Sequence, residues 1–598
     1  MLISVGVGPF PYRRRVIGAH QCGRLRLEYR WPGDDGPSSR RGPRPFDRVF
    51  SLEQNWRADM TMTSANANHR DDGWWRNETF LDDLRRHVRD RPRKEAVVTR
   101  RQAGGRTHRL DFTELAAAVD RCAGALVELG LRPGDVVAVQ LTDRWELAAL
   151  TLGCIRAGVV YCPLMKTYRR RELDVMLRVT EAKVLVTMAE DNGDRLGELG
   201  AQFAAELPSL ERVLVADGPG PEGTGEFESF FFGTAWEDRH GHLLDARELG
   251  PDDPYLVLFT SGTTSEPKGV LHSQNTLYAA VRGEAATFGL DETLVMYTTA
   301  LYTHYTGVVQ GMLMPLTLGG TMVFQDAKDP GDALDLIARH GVTFFYCAPF
   351  YLLSLIQEQR SSPRAIPRLT WLVSGSAPIP PYFITETASV FGLRLYSLWG
   401  MTENGPVTIT RPDDPEDWAA HSDGSAIADM QLRIDPVSDL AGGEGVLWVR
   451  GPTQCLGYYR RDDLYTADLD EDGWFNTGDL ARPDGRGGIR ITGRAKDMIL
   501  RNANIAPVTD LESIIGRHPK VDDVAVIGIP DEQEDETICA VVAPAAADSP
   551  VRLEELQRAL DEAGMTRAYW PQRLEVLESL PKTATGKTRK AELRQRYA

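Results

Sequence analysis

"FTSGTTSEPKGV", residues 259–270, follows directly on the apolar run Tyr255-Leu256-Val257-Leu258. A loop leaving a strand presents backbone N–H groups, and glycine lets that backbone approach a ligand closely. Thr260, Ser261, Thr263 and Thr264 add hydroxyl donors around Gly262, and Lys268 adds a positive charge, a set suited to polyphosphate. The same composition also suits an ordinary Ser/Thr-rich surface turn. A Walker A loop requires Gly-x4-Gly-Lys-[Ser/Thr]; Lys268 is followed here by Gly269, so this is not an ordinary P-loop.

The rest of the chain sets the context. Its 598 residues are too many for one core, so two or more domains are expected. A hydrophobic content of 42% and a charged content of 26% are those of a soluble globular protein. The net charge of −17 argues against a general nucleic-acid binder, which needs a basic face, and leaves room for a local basic pocket. No apolar run reaches the roughly 18 residues of a membrane span. The seven cysteines are scattered without a CxxC pair, which reads as reduced thiols in a cytoplasmic protein.

Residues 1–74 form an N-terminal extension. Its first 60 or so residues are rich in Arg, Gly and Pro ("PYRRRV", "SSRRGPRPF") without a sustained apolar period, so disorder is expected. Met60 and Met62 precede the first well-patterned helix, "NETFLDDLRRHVRDRP", and a start assigned too far upstream is the alternative.

Beyond it, "FTELAAAVDRCAGALVELGL" carries apolar residues at helical spacing and stops before "RPGD". "VVAVQL" and "KVLVTM" are short β-branched runs beside helical segments. Repeated β-then-α predicts an α/β protein with mixed or parallel sheets covered by helices on both faces. "GVLWVRG" and "GIRITGR" lie among glycines and suggest smaller antiparallel, β-barrel-like elements. The pattern changes near "TGRAKDMIL" (492–500), giving a large domain over 75–493 and a small α+β domain over 494–598. The small domain should hold a helix at Asp510–Arg517, strands "DVAVIGI" and "ETICAVVAP", the helix "RLEELQRALDEAG" and a tail.

Six further motifs follow the phosphate-type loop in order: "THYTG" (303–307), "SGSAPIPP" (374–381), "LWGMTENG" (398–405), "WFNTGDL" (474–480), "GRAKD" (493–497) and "LPKTATGKTRK" (580–590). Together they resemble the signatures of the adenylate-forming superfamily of acyl-CoA synthetases, luciferases and peptide-synthetase adenylation domains, from about residue 75 to the C-terminus. The resemblance is strongest to ligases of medium-chain and cyclohexanecarboxylic acids. It implies an acyl-CoA ligase that joins a small-molecule carboxylic acid to ATP, giving acyl-AMP, and then to coenzyme A. Both steps accumulate negative charge, so the site must supply cations and donors rather than a nucleophile.

What the resemblance implies for single residues is specific. Thr260, Ser261, Gly262, Thr263, Thr264 and Lys268 would hold the phosphates, and Thr264 would act in catalysis. Gly375, Ser376 and Ala377 would lie beside adenine and the acyl group, as would Trp399, Gly400 and Met401; a core tryptophan is the other reading of Trp399. Thr402 would donate to the α-phosphate. Glu403 would bind Mg²⁺, a hard cation that prefers oxygen ligands, and is otherwise an exposed acid. Asp479 would accept from the ribose hydroxyls or, more plainly, cap a turn. Arg494 would hold ribose and phosphate, and Lys587 would reach the forming acyl-phosphate oxygen. Tyr302, His304, Tyr305, Gly307 and Gly400 would line the acyl pocket, with His304 also responding to domain rotation or simply being a core histidine. Lys496 stands at the hinge about which the small domain would rotate between the half-reactions.

Departures from the pattern are also present. Relatives commonly carry a glycine pair where Asn502 and Ala503 stand, in a loop expected at the thiol tunnel; Ser265 replaces a frequent Gly and Leu301 a frequent Pro. Ala resists backbone conformations that Gly allows, so a weakened half-reaction or an unusual acid is expected. The mixed aromatic and small residues of the expected pocket suit a bulky, alicyclic or natural-product acid. The alternatives are a partial enzyme working with a partner ligase, transfer to a carrier-protein thiol, and a silent nucleotide-binding protein.

Overall fold

Strands Val136–Gln140 and Val184–Met188 are buried along their whole length, which requires cover on both faces of their sheet. In the computed structural model they pair in parallel near the centre of an eight-stranded sheet. Its order is Gly457–Tyr458, Lys268–Ser273, Pro254–Thr260, Val160–Pro163, Val136–Gln140, Val184–Met188, Arg212–Ala216, Gly225–Glu226. The structure describes residues 66–597 except 102–104, 261–266, 327–328, 378, 380, 437–442, 502–503, 532–534, 547–548 and 584–585.

A nine-stranded sheet runs Ser425–Ala426, Gly405–Ile409, Leu395–Met401, Trp371–Gly375, Phe344–Cys347, Val295–Thr298, Thr321–Gln325, Glu95–Arg100, Thr107–Asp111, parallel through its middle and antiparallel at its edges. One core fills the space between the two sheets. It joins Val137 and Val139 of one sheet and Phe344 and Val373 of the other to helices Phe112–Glu128, Trp145–Ala157 and Gln274–Phe288. Helices Pro330–His340, Pro349–Ser361 and Pro381–Phe391 cover the outer face of the nine-stranded sheet. Arg170–Thr180 and Leu196–Glu206 cover that of the eight-stranded sheet. Local signals set several of these ends. Asp111 and Glu114 form a capping box at the start of Phe112–Glu128, and Gly289, at φ +63°, ends Gln274–Phe288.

"GVLWVRG" and "GIRITGR" supply Gly445–Arg450 and Ile489–Arg494 to a four-stranded antiparallel sheet with Gln431–Pro436 and Phe475–Pro483. The C-terminal sheet pairs Val521–Asp531 with Asp535–Pro544 over ten residues or so and adds Arg573–Val576 in parallel. Its two faces carry separate cores. The helix expected at Asp510–Arg517 runs Val508–Ile515, because Pro507 fixes φ immediately before it and Gly516 follows it. The tail contains a helix, Lys590–Tyr597, that periodicity does not reveal: Leu593 is its only buried residue. No helix among the described residues is long and apolar enough to cross a membrane.

Candidate active site

Strands Pro254–Thr260 and Lys268–Ser273 form an antiparallel hairpin in which Thr260 faces Lys268 across the ladder. The segment joining them is the phosphate-type loop; Ser261, Gly262, Thr263 and Thr264 lie outside the described residues. Lys268 does not stand alone. Its Nζ is 3.0 Å from Asp468 Oδ2 and 4.5 Å from the centroid of the Tyr458 ring. The Tyr458 hydroxyl is 3.1 Å from Glu403 Oε1 and 3.4 Å from Asp468 Oδ2, and it donates to one of the two.

Glu403 is buried at 7% exposure, which excludes the exposed-acid reading. Desolvation raises its pKa, opposed by the Tyr458 hydroxyl and by Lys268 and Arg494. Among the described residues no three His, Cys, Asp or Glu side chains gather as a metal cage. One desolvated carboxylate fits Mg²⁺, which takes one or two protein carboxylates and draws its other ligands from phosphate and water. Thr402, the residue before, is fixed from the hairpin: its carbonyl lies 2.8 Å from His272 Nε2. Burial lowers the His272 pKa to about 4, so the ring is neutral and Nε2 carries the proton it donates. Replacing Tyr458 with Phe removes one donor to this network and is expected to lower adenylation about threefold to tenfold, read as ATP–pyrophosphate exchange.

Asp479 and Arg494 face each other across the ladder of Phe475–Pro483 and Ile489–Arg494. Arg494 Nε lies 2.6 Å from Asp479 Oδ1, and the Trp399 indole N–H donates to Oδ2 at 3.1 Å. Asp479 is 4% exposed, and desolvation raises its pKa against the pull of Arg494, Lys587 and Trp399. Each carboxylate oxygen keeps a lone pair for a further donor. Trp399 is half-buried and packs beside the core of the four-stranded sheet, so its body follows the core reading while its N–H serves the site.

The small domain brings Lys587 into this cleft. The bridge between Lys582 and Thr588 and the hydrogen bonds from Thr583 N to Lys587 O (2.7 Å) and from Lys587 N to Thr583 Oγ1 (3.1 Å) shape its loop. Lys587 is exposed to solvent. Desolvation, then Arg494, lowers its pKa, while Asp479 and Glu403 raise it. Lys496 lies in the same field, its pKa lowered by desolvation and by Arg494 and Arg594. Asn502 and Ala503 lie outside the described residues.

The remaining predicted positions lie on three further segments of the large domain. Asp143, three residues beyond strand Val136–Gln140, accepts from the Tyr302 N–H at 2.9 Å. His304 is half-buried, and its Nδ1 accepts from the Thr306 N–H at 3.3 Å. Gly307 opens the π-helix Gly307–Leu313, a distortion that often accompanies functional sites. A Cβ on Gly307 would fall 2.0 Å from the Leu301 carbonyl oxygen. Gly307→Ala is therefore expected to cost about 1–3 kcal/mol of stability, measured by denaturant unfolding, and to raise the KM for the acid. Gly375 ends strand Trp371–Gly375, Ser376 sits at φ +70°, and Ser376 and Ala377 are exposed. Gly400 and Met401 continue strand Leu395–Met401 into the turn that carries Glu403.

His272, Tyr458, Asp468 and Asp143 were not singled out by sequence. Each lies outside the ordered motifs and meets the site only through folding; the aromatic pair "GYY" before a charged run was the available signal for Tyr458.

Residues 84–459 match the family described as AMP-binding enzyme, and residues 510–587 the AMP-binding enzyme C-terminal domain. The chain is 29% identical over 558 residues to the medium-chain fatty-acid–CoA ligase of Escherichia coli, covering 93% of this chain and 97% of that one. It is 30% identical over 532 residues to the salicyl-AMP ligase / salicyl-S-ArCP synthetase of Mycobacterium tuberculosis, covering 87% and 91%. Among solved structures, ATP-bound MatB from Rhodopseudomonas palustris superposes with a TM-score of 0.72 at 28% identity, covering 87% of this chain and 99% of that one.

Proposed function

As a member of the AMP-binding enzyme family and an ATP-dependent acid–thiol ligase of the AMP-forming kind, this chain, we propose, joins a bulky carboxylic acid to coenzyme A through an acyl-adenylate. In the first step a carboxylate oxygen bonds to the α-phosphorus of ATP and the bond to the β-phosphate oxygen breaks, releasing pyrophosphate. In the second, a thiol sulfur bonds to the acyl carbon, the bond to the phosphate oxygen breaks, AMP leaves, and the thiol proton goes to solvent.

The observation that carries this reading is the convergence of Glu403, Asp479, Arg494 and Lys587 on one cleft. Mg²⁺ supplies positive charge against the phosphates when bound to Glu403. Asp479 and Arg494 hold the ribose, with Trp399 against the adenine side. Lys587 meets the negative charge that develops between acyl and phosphate oxygens, where a positioned donor is worth most. Thr260, Lys268, Thr402 and the loop at 261–264 hold the phosphates. Tyr302, His304, Tyr305 and Gly307 shape the acyl pocket beside Gly375, Ser376, Ala377, Gly400 and Met401. The chain divides near residue 493, and the small domain turns about Lys496, withdrawing Lys587 and bringing the loop of Asn502 and Ala503 to the thiol. The reaction is placed in the cytoplasm, where its soluble co-substrates are.

Transfer to a carrier-protein thiol is a second reading, favoured by the name of the mycobacterial relative. The two are separated by incubating the purified protein with ATP, Mg²⁺ and a panel of acids, with either coenzyme A or a phosphopantetheinylated carrier. The proposal expects a coenzyme A thioester with equimolar AMP and pyrophosphate. Thioester on the carrier alone, or release of ADP, would overturn it.

A further inference from the structure

Lys268, assigned above to the phosphates, already has an anion of the chain's own. Its Nζ lies 3.0 Å from Asp468 Oδ2 and 4.5 Å from the centroid of the Tyr458 ring, and its charge also acts on Glu403. The Lys268 and Asp468 side chains are 24% and 34% exposed, so a solute can reach the pair.

The fold fixes both partners. Lys268 opens strand Lys268–Ser273 and faces Thr260 across the hairpin. Tyr458 faces Val270 on the neighbouring strand, which brings its ring against the lysine. Asp468 follows directly on helix Asp462–Ala467. Its N–H donates to the Tyr465 carbonyl at 3.0 Å, and its carbonyl accepts from the Asn476 N–H at 2.8 Å. Asn476 belongs to strand Phe475–Pro483, which also carries Asp479, so Asp468 is tied to the backbone of the site. A helix C-terminus favours cations over acids; the carboxylate gains nothing from its own helix and is met by Lys268 instead.

We propose that Asp468 is a positioning residue that competes with polyphosphate for Lys268 and thereby eases the departure of pyrophosphate. The inference rests on the ligase reading, with Lys268 as a phosphate ligand. An ammonium has three donors and can touch two anions, but a carboxylate and a phosphate on either side of it repel each other. Each therefore weakens the hold of the other. Asp468 lowers the affinity of the site for pyrophosphate, and it regains the lysine as pyrophosphate leaves. The Tyr458 hydroxyl lies within reach of both Glu403 and Asp468. While Lys268 serves phosphate, that hydroxyl can turn its proton to Asp468, so the carboxylate keeps a donor.

The test is calorimetric binding of pyrophosphate, with Mg²⁺ present, to wild type, Asp468→Asn, Asp468→Ser, Asp468→Glu, Lys268→Ala and the Asp468→Asn/Lys268→Ala pair. Asp468→Asn is expected to bind pyrophosphate about threefold to tenfold more tightly at low salt, the range for a partly exposed ion pair and the repulsion that goes with it. Asp468→Ser should do the same, and serves if the Asn side chain misfolds the protein or still holds the lysine. Asp468→Glu keeps the charge and should restore the weaker binding. The gain should shrink at high salt and disappear in the Lys268→Ala background, where nothing is left to compete for. A purely structural Asp468 would give no gain that depends on Lys268. Asn and Ser variants that bind no more tightly than wild type, while Lys268→Ala binds more weakly, would overturn the inference and leave the ligase reading intact. Wild-type affinity in Lys268→Ala, or no binding to wild type, would also overturn it, by removing Lys268 from the phosphate site. Acid-dependent ATP–pyrophosphate exchange in wild type then decides separately whether the ligase reading stands.

Discussion

Lys587→Ala lowers acid-dependent ATP–pyrophosphate exchange by about a hundredfold to a thousandfold, the loss expected for one positioned donor at a developing charge. Thioester formation from a pre-made acyl-adenylate is expected to be unchanged. The split follows from where Lys587 sits. It belongs to the small domain, its loop is shaped by Thr583 and the Lys582–Thr588 bridge, and it shares the field of Asp479 and Glu403. A group brought in by a domain that then turns away acts in one half-reaction only. Lys587→Arg keeps the charge but replaces a compact ammonium with a planar fork, and little activity should return. Equal losses in both half-reactions would refute the assignment.

Glu403→Gln has the second large effect, and it runs in two directions. Exchange should fall by about a hundredfold or more, as for removal of a strong electrostatic contact in a water-poor site, and added Mg²⁺ should not restore it. The ligand-free protein should become more stable. Desolvation holds the Glu403 pKa above the ordinary glutamate value of 4.5, so between those two values the folded state binds more protons than the unfolded one. Stability from this group is therefore present below pH 4.5 and is lost as pH rises through the folded pKa. Gln carries no charge to desolvate, so the gain in Tm is expected at pH 7 and should vanish as the pH falls below the unfolded value. A variant less stable than wild type at pH 7 would contradict this account of the site.

The sequence-level reading reached the fold because the signals were local. Strands buried along their whole length and almost wholly apolar, such as "VVAVQL", demand two covered faces, and the hairpin around the phosphate-type loop begins where an apolar run ends. The helix at Lys590–Tyr597 escaped because one leucine anchors it. The site was legible where chemistry is concentrated in short motifs, as for Glu403, Asp479 and Arg494, and illegible where the partner is distant in sequence. Lys268 meets Asp468 across 200 residues, and Tyr458 meets Glu403 across 55. No spacing rule links such pairs.

The central claim is that one protein performs both halves of the reaction at this cleft. The most direct measurement assays a single purified sample for acid-dependent exchange of radiolabelled pyrophosphate into ATP and for thioester formation from coenzyme A and a pre-made acyl-adenylate. The account predicts both activities with the same acid, the first abolished by Lys587→Ala and the second retained. Thioester formation without exchange by any acid would contradict it, and would mean that the adenylate is made elsewhere and the chain, with Asn502 and Ala503 in place of glycines, completes the reaction.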